Sequence, residues 1–414
     1  MMITAILALT IGSEVASVGS TRAPTTRAPE AVNQARFELG QGLRFRFDEG
    51  RHSIALGGFI QPFIGLDARN GDSDPDLFLN SRRSHLYLEG SFFDGRIDYF
   101  FQGDFSRTAP LLDAWLGYNA GSWLSVSIGQ RQNLSQNREM LHMESQLSFV
   151  DRSLLSRTFS ESGRELGAFV VASIELGPML IRPQGSATSG DGRNSFGVDS
   201  RDRDLGGLKW GGRLDVLPFG DFSPGNRRGV VDLVHEPRLK IVVGAAGSYN
   251  DGASHEKGAG HGDFALFNAD GALQLPDYVQ LYADLLAKYR GFSLLVEGAN
   301  ATATSLQGSF TNEAGTTPLF ATEISDLLVL GNAFNAQIGY FFGFGLGVDV
   351  RYTRLFGEFD DRPSALLLDT TGYGAGAALY LMEQAFKAQF NYERVERRGA
   401  EPLNRVALLI QVII

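Results

Sequence analysis

Two groups of side chains have residue types that could carry chemistry, and the first is His142 with Glu144 in the segment LHMES. A histidine beside a carboxylate can act as a general base, because the carboxylate orients the ring and stabilises its protonated form. Catalysis of this kind also needs a nucleophile or a bound substrate, and no nucleophile motif accompanies the pair. The sequence therefore predicts no enzymatic activity.

The second group comprises His255, Glu256, His261 and Asp263 in the segment SHEKGAGHGDF, whose nitrogen and oxygen atoms could bind a divalent cation. Their spacing fits no standard zinc pattern. The glycines between them are typical of a solvated loop. We therefore expect no metal ion and no other cofactor.

The composition narrows the classes of protein that remain. The chain has 414 residues and no cysteine, which excludes disulfide bonds, thiolate metal sites and cysteine nucleophiles. Its formal net charge of -10 argues against nucleic acid as a partner, because binding to a duplex requires a basic face. Beyond the N-terminus, no segment approaches the roughly 18 consecutive apolar residues of a membrane-spanning helix. The 50 glycines and many aromatic residues are instead typical of short strands joined by turns.

The N-terminal region differs from the rest of the chain. An apolar segment from Met2 to Ile11 is followed by small residues, which predicts a signal peptide over residues 1–20, although no Lys or Arg precedes it. Residues 21–36 contain two Thr-Arg-Ala-Pro repeats and are predicted to form a flexible linker. Residues 37–414 then form one predicted domain.

From about residue 37 onward, apolar and polar residues alternate with a period of two, which predicts β-strands. In one such segment Leu346, Val348 and Val350 lie on one face of the strand, and Asp349 and Arg351 lie on the other. In a soluble β-sandwich the apolar faces meet in a core. In a membrane barrel they face lipid, the polar faces line the lumen, and aromatic residues gather near the strand ends.

The aromatic residues and the connections between strands favour the barrel over a large sandwich or propeller. Several aromatic residues lie close to predicted strand ends: Tyr99, Tyr118, Trp123, Tyr340, Tyr352, Tyr380 and Tyr392. Short links at 93–95, 119–122 and 343–345 alternate with long polar ones, as in outer-membrane barrels. With about 23 residues for a strand and its connection, residues 37–414 provide about 16 strands. The predicted fold is an all-β, transmembrane antiparallel barrel.

Seven segments stand in a recognisable order between about residue 53 and the C-terminus: SRRSHLYLEGSFFDGRIDYFFQGDF, LLDAWLGYNAGSWLSVSIGQ, LSFVDRSL, GRELGAFV, YRGFSLLVEG, NAQIGYFFGFGLGVDVRYTRL and TGYGAGAALYLMEQAFKAQFNYERV. Taken together, these segments resemble the phosphate-selective porin O and P family.

The resemblance implies a 16-stranded barrel, usually a homotrimer, whose third loop folds inward and narrows the pore. Residues 132–164 follow the match to the strand before that loop, so they are expected to form the constriction. The basic residues of this segment include Arg138, Arg152, Arg157 and Arg164.

In phosphate-specific members of the family, a double arginine, an aspartate in the motif DAxLGY, a constriction lysine and a later arginine-rich loop handle the anion. Arg82 and Arg83 match the double arginine, and Asp113 matches the aspartate. The lysine is not matched, because Glu139 and Met140 stand at about its position. Residues 250–262, which correspond to the arginine-rich loop, contain no arginine.

These departures favour a general or weakly selective pore. Two unit charges 4 Å apart interact by about 4 kcal/mol at an effective dielectric constant of about 20, so Glu in place of Lys turns an attraction of that size into a repulsion. We expect passive diffusion of small hydrophilic solutes or anions across a bacterial outer membrane, by a homotrimer in contact with lipid and lipopolysaccharide. A phosphate or polyphosphate channel and a plugged structural or adhesion barrel remain the alternatives. The candidate pore residues are Arg82, Arg83, Asp113, Arg131, Arg138, Glu139, Arg152 and Arg157.

Overall fold

The computed structural model describes residues 34–69, 74–193, 206–260, 262–359 and 361–414, and this part of the chain contains 19 strands. The strands are β1 (Gln34–Glu38), β2 (Gly42–Phe47), β3 (His52–Arg69), β4 (Asp76–Phe92), β5 (Ile97–Asp104), β6 (Leu111–Gly121), β7 (Leu124–Gln132), β8 (Arg164–Ala172), β9 (Ile174–Leu176), β10 (Met179–Thr188), β11 (Lys209–Leu217), β12 (Lys240–Asn250), β13 (Asp277–Tyr289), β14 (Phe292–Thr304), β15 (Gly331–Phe341), β16 (Leu346–Gly357), β17 (Thr370–Tyr380), β18 (Phe386–Arg397) and β19 (Leu403–Ile413).

Helical structure is scarce in the described residues. It comprises α1 (Leu154–Phe159) and short 3-10 turns at Asp48–Gly50, Glu139–Leu141, Glu144–Gln146, Pro224–Asn226 and Glu323–Asp326. No helix in the described ranges is long and apolar enough to cross a membrane.

The strands from β3 to β19 form a closed antiparallel barrel. Each pairs with the next along the chain, and β19 closes the sheet by pairing with β3, from Leu403 opposite Arg69 to Ile413 opposite Phe59. The short strands β8 and β9 flank Ser173, and both pair with β10, so they are two parts of one barrel strand. The barrel therefore has 16 strands, as the sequence predicts. An even number of strands lets an antiparallel sheet close without a free edge.

The N-terminal hairpin of β1 and β2 extends this sheet at one end of the barrel. Strand β2 pairs with the first half of β3, with Leu43 opposite Leu56, and β19 pairs with the second half. The predicted signal peptide and most of the predicted linker lie outside the described residues. The last three residues of that linker, 34–36, belong to β1, so β-structure begins slightly earlier than the boundary expected at 37.

The alternation seen in the sequence places apolar side chains on the outside of the barrel. In β15, Phe334 and Ile338 are 41% and 50% exposed on the outer face, whereas Asn335 and Gln337 point inward and are almost fully buried. Transfer of such apolar area from water to hydrocarbon is favourable by about 25 cal/mol per Å². One aromatic residue that the sequence places near the membrane interface lies elsewhere. Tyr380 is 6% exposed because it packs inside the barrel against Val231 and Phe341.

The connections differ in length between the two ends of the barrel. At the end called here the turn end, hairpins such as 290–291 and 342–345 are short, whereas the loop end has long segments such as 251–276 and 305–330. One connection at the turn end, residues 218–239, is long, and the sequence analysis did not anticipate it. Both this turn-end segment (218–239) and the inward loop (133–163) contact side chains of the lumen.

Candidate functional site: the charged lumen

The inward loop is held against one side of the barrel wall by a buried group of charges. The Arg138 guanidinium lies 2.6 Å from the carboxylate of Asp215 on β11 and 2.8 Å from that of Asp284 on β13. Arg213 of β11 contacts the same two carboxylates at 2.9 and 2.6 Å. Two cations and two anions balance, so their mutual attraction offsets the desolvation cost of burying them.

Glu139, which the sequence analysis placed in the constriction, is turned into the loop and is 3% exposed. Its carboxylate accepts hydrogen bonds from the backbone N–H of Ser153 at 2.8 Å and from the Ser156 hydroxyl at 2.6 Å. Arg351 of β16 lies 3.7 Å away. Glu139 therefore shapes the loop around α1, and its charge is not presented to a passing solute.

The rest of the inward loop continues along the same side of the barrel. The amine of Lys387 on β18 donates to the carbonyl oxygens of Ser145 and Leu147 at 3.0 and 2.9 Å. The backbone N–H of Val150 donates to the Asn391 side chain at 2.7 Å. The loop thus fills the side of the lumen formed by β11 to β18.

On the opposite side, the loop and strands β4 to β8 enclose a cavity of about 140 Å³, named here the arginine pocket. Six arginines and four carboxylates line it: Arg82, Arg83, Arg107, Arg152, Arg157 and Arg164, with Asp104, Glu144, Asp151 and Glu161. The side chains of Arg82, Arg107 and Arg157 are 37%, 50% and 32% exposed. The carboxylate of Glu161 is also exposed, at 55%. The pocket therefore offers solvent three guanidinium groups and one carboxylate.

The other arginines of the pocket are buried. Arg83 and Arg164 join the loop to the wall, whereas Arg152 holds the loop together from within. Arg164 donates to the carboxylates of Asp113 on β6 at 2.9 Å and Glu144 at 3.1 Å. Arg152 lies 3.3 Å from Glu144 and donates to the backbone carbonyls of Glu139 and His142. Asp113 thus orients Arg164, which anchors the loop, and Arg152 stabilises the fold of the loop itself.

Arg82 and Arg83 meet the tip of the inward loop through Asp151. Arg82 lies 2.7 Å and Arg83 3.6 Å from the Asp151 carboxylate, and Arg83 also donates to the Val150 carbonyl at 3.1 Å. Burial alone would raise the pKa of Asp151. The adjacent Arg82 and Arg83 lower it by more than burial raises it, and the resulting pKa is about 2. Arg82 and Arg83, the double arginine of the family resemblance, therefore line the pocket and share the carboxylate of Asp151.

Arg131 occupies a different place, between two aromatic rings of the lumen. Its guanidinium carbon lies 4.9 Å from the Trp115 ring centroid and 5.5 Å from that of Phe169, which are cation–π distances. One of its N–H groups donates to the Ser127 hydroxyl at 2.7 Å. Arg131 does not line the arginine pocket.

The turn-end segment enters the lumen from the other end. Lys288 of β13 is completely buried, and its amine donates to the carbonyls of Asn226, Gly229 and Val231 at 2.7, 2.6 and 3.0 Å. The Asp232 carboxylate accepts from the backbone N–H of Gly291 at 2.8 Å. These bonds fix the segment against the turn end of β13 and β14.

The inward loop and the turn-end segment also touch each other. His142 of the loop lies close to the backbone of Arg228, and Gln146 of the loop lies against Gly229. Burial lowers the pKa of His142 well below its usual range, and the positive charges of Lys288, Arg138 and Arg152 lower it further. His142 is therefore neutral at pH 7. Burial raises the pKa of Glu144, but Arg164 and Arg152 hold it well below the usual range, so Glu144 is ionised.

On the turn side of the arginine pocket, strands β4 to β7 carry a layer of buried polar side chains. His85, Gln102, Asp113 and Gln130 form a layer in which each residue is at most 5% exposed. On the turn side of this layer lie two cavities of about 600 and 650 Å³. Cavities thus lie on both sides of this buried layer, along the wall opposite the inward loop.

The residues around His255, for which the sequence predicts no metal ion, are only partly brought together. The ring of His255 lies 3.3 Å from Glu161 and 3.5 Å from Asp263, and His261 lies outside the described residues. In the ranges that the structure describes, no three His, Asp or Glu residues are grouped so that they could hold a metal ion.

Of the eight candidate pore residues, the structure brings Arg82, Arg83, Arg152 and Arg157 to the arginine pocket. Asp113 contacts Arg164, which lines the pocket. Arg131, Arg138 and Glu139 lie elsewhere in the lumen. Sequence reasoning missed Arg107, which follows β5 in a short connection. An arginine just after an alternating segment is the only signal that could have suggested it.

No protein-family model matches the sequence, and the search of curated proteins found no match. Among solved structures, the anion-selective porin from Comamonas acidovorans has a TM-score of 0.54 at 12% identity, covering 88% of this chain and 100% of that one. The outer membrane channel DcaP of Acinetobacter baumannii has a TM-score of 0.51 at 12% identity, covering 88% and 97%. The trimer form of OmpT, an outer membrane protein of Vibrio cholerae, has a TM-score of 0.50 at 11% identity, covering 88% and 99%.

At these identities the similarity establishes the fold alone, which is that of 16-stranded outer-membrane β-barrels. A closed barrel with an apolar outer face satisfies all its backbone hydrogen bonds internally and can therefore span lipid. The location predicted from the sequence, a bacterial outer membrane, agrees with this fold.

Proposed function

We propose that this protein is a porin through which small hydrophilic solutes diffuse passively, with a modest preference for anions. The observation that carries the proposal is the arginine pocket, where six guanidinium groups face four carboxylates and three arginines remain substantially exposed. A solute that follows the wall opposite the inward loop passes this pocket. Rings of charged side chains set ion selectivity in pores of this kind.

The burial of Glu139 supports the anion preference and weakens the electrostatic objection raised from the sequence. A carboxylate that is 3% exposed and accepts two hydrogen bonds within its own loop acts on a solute only through screened, indirect fields. Strong phosphate selectivity is not favoured, because Arg82 and Arg83 already share the Asp151 carboxylate. An entering anion would have to compete with that carboxylate.

The test is the reversal potential of the purified protein in a planar bilayer under a tenfold gradient of KCl. We expect a potential of the sign that chloride permeation produces, well short of the ideal anion value. A potential of the sign produced by potassium permeation would refute the anion preference. Block of chloride current by millimolar phosphate would favour the phosphate channel instead.

A plugged barrel is the second candidate, and the buried layer of His85, Gln102, Asp113 and Gln130 favours it. If this layer stays closed, the protein gives no current at any salt concentration. The bilayer measurement separates the two candidates, because a porin conducts and a plugged barrel does not.

We also propose that the protein is a homotrimer. The family resemblance implies this assembly, and one similar solved structure is a trimer. Sedimentation of the protein in detergent tests it, with a mass of one chain as the contrary result.

A further inference from the structure

A continuous strip of aromatic rings lies on the lumen wall on the turn side of the buried polar layer. Tyr87 of β4, Phe100 of β5 and Trp115 of β6 are neighbours, with ring centroids 6.0 and 6.1 Å apart and ring planes inclined by 28° and 35°. Strands are about 4.8 Å apart. Rings at these separations and angles lie side by side and pave the wall.

The strip faces inward, as its strand neighbours show. Leu88, Phe101 and Leu116, each next to one of the three rings, are 37%, 42% and 57% exposed on the outer, lipid-facing surface. Alternation along a strand places the three rings on the opposite face. The interior of a porin barrel is normally polar. Three adjacent aromatic rings in that position therefore need an explanation.

Support of the wall explains two of the rings. The Tyr87 ring fills the space in which a Cβ atom at Gly57 would lie, and the Trp115 ring lies 3.2 Å from such an atom at Gly117. Aromatic rings commonly cover glycines in sheets in this way. Phe100 covers no described glycine, since its ring is not among the nearest atoms to any of them. The covering of glycines therefore does not explain Phe100, the central ring of the strip.

The strip borders the cavity of about 600 Å³, which also presents cations. Phe100 and Trp115 line it together with Arg44, Arg46 and Arg228. Glu89 and Asp98 are the carboxylates in the lining, and Arg44 lies 4.0 Å from Glu89. Three arginines against two carboxylates leave an excess of positive charge. The volume is in the range of sites for small organic ligands, about 300–1,000 Å³.

We propose that this cavity is a binding site for planar aromatic carboxylates, with the solute ring on Phe100 beside Trp115, whose ring also contacts Arg131, and its carboxylate at the arginines. Offset stacking between aromatic rings and charge-assisted bonds from guanidinium groups suit the two halves of such a molecule. Arg228 belongs to the turn-end segment, so that segment forms the far side of the site. The proposal rests on the proposed pore function, because the solute reaches the cavity through the lumen.

Tryptophan fluorescence tests the site directly. The chain has three tryptophans, and Trp123 and Trp210 are 57% and 58% exposed. Replacing both by Phe leaves Trp115 as the reporter. We expect 4-nitrobenzoate to quench its emission with a saturable dependence on concentration. Neutral 4-nitrobenzyl alcohol, which has the same ring without the carboxylate, should bind at least about tenfold more weakly.

Phe100 and Phe101 provide a matched pair of variants on one strand. In the single-tryptophan protein, Phe100→Ala should weaken 4-nitrobenzoate binding about tenfold, since it removes the central stacking surface. Phe101→Ala, which removes the neighbouring outward ring, should leave binding unchanged. Arg228→Gln should weaken binding of the carboxylate and leave that of the alcohol unaltered.

Purely linear quenching, or equal effects of the two Phe variants, would overturn the proposal. Equal binding of the carboxylate and the alcohol would also overturn it, because the arginines would then have no part. The pore function is measured separately on the same protein as current in KCl. Current without saturable quenching refutes the site alone, whereas saturable quenching without current refutes the pore and leaves the binding site established.

Discussion

A Cβ atom placed on Gly229 lies 3.1 Å from the carbonyl oxygen and 3.5 Å from the Cβ atom of Gln146, at the point where the two segments that enter the lumen from opposite ends meet. Disulfide-bonded cysteines have Cβ atoms about 3.5–4.5 Å apart. The chain contains no cysteine, so an introduced pair has no competing thiol.

We expect the double variant Gln146→Cys with Gly229→Cys to form a disulfide on mild oxidation. The bond should leave single-channel conductance within about twofold of the reduced value, because the cavities lie along the opposite wall of the barrel. Mass spectrometry detects the bond, and bilayer recording in oxidant and then in reductant measures the conductance. Each single-cysteine variant is the control.

Failure of the two cysteines to react would contradict the contact between the segments. Loss of current on oxidation, with recovery on reduction, would show that the segments must separate before a solute passes. In that case the proposed path of the solute along β4 to β7 would be wrong.

The buried charges around Arg138 should contribute strongly to stability. Arg138→Met leaves Asp215 and Asp284 with Arg213 as their single close cation, and breaking a buried pair costs about 3–5 kcal/mol. The free energy of unfolding, measured by guanidinium titration in detergent, should fall by that amount. Arg51→Met is the control, because this exposed arginine pairs only with the exposed carboxylates of Asp48 and Asp94 among the described residues and should contribute about 0–1 kcal/mol. Equal effects of the two substitutions would argue that the Arg138 group does not hold the loop.

His142 should make stability depend on pH in the weakly acidic range. Its pKa is lower in the folded protein than in the unfolded chain, so the unfolded chain binds the extra proton. Stability is then full above pH of about 6.5 and falls by up to about 1.4 kcal/mol per pH unit below it. Glu144 and Asp151 have lowered folded pKa values, so their contribution persists until the pH falls below about 4.

We therefore expect His142→Gln to flatten the dependence of the unfolding midpoint on pH between 6.5 and 4.5 relative to the parent protein. His52→Gln, at the turn end and away from the inward loop, should keep the parent's slope. An unchanged slope in His142→Gln would show that the ring is not held neutral in the fold.

Removing exposed arginines of the pocket should reduce the preference for anions. In the double variant Arg82→Gln with Arg107→Gln, the permeability ratio of chloride to potassium should fall about twofold or more, because two of the three exposed guanidinium groups are lost. Arg362→Gln with Arg398→Gln, in the connections 358–369 and 398–402 at the loop end, is the matched control of equal charge change. A larger effect of the control pair would place the selectivity filter in the outer loops.

The barrel could be predicted because its cause is local. Alternation such as Phe334, Asn335, Ala336 and Gln337 fixes which face of each strand meets lipid, and that pattern needs no knowledge of distant residues. The number of strands follows from chain length and turn spacing, and it agrees with the structure.

The interior could be predicted only in part, because it depends on pairings between residues far apart in the chain. Arg138 meets Asp215 and Asp284, and no local pattern links these three positions. Glu139 follows Arg138 directly, yet it turns into the loop because Ser153 and Ser156 supply its hydrogen bonds. The turn-end segment was missed for the same reason, since Lys288 secures it from another strand.

The central claim, that the lumen conducts small solutes, is tested most directly by single-channel recording of the purified protein in a planar bilayer. We expect discrete current steps in KCl that scale with salt concentration. The absence of any step from protein that is folded and inserted in the bilayer would contradict the claim, because the two inward segments would then close the barrel.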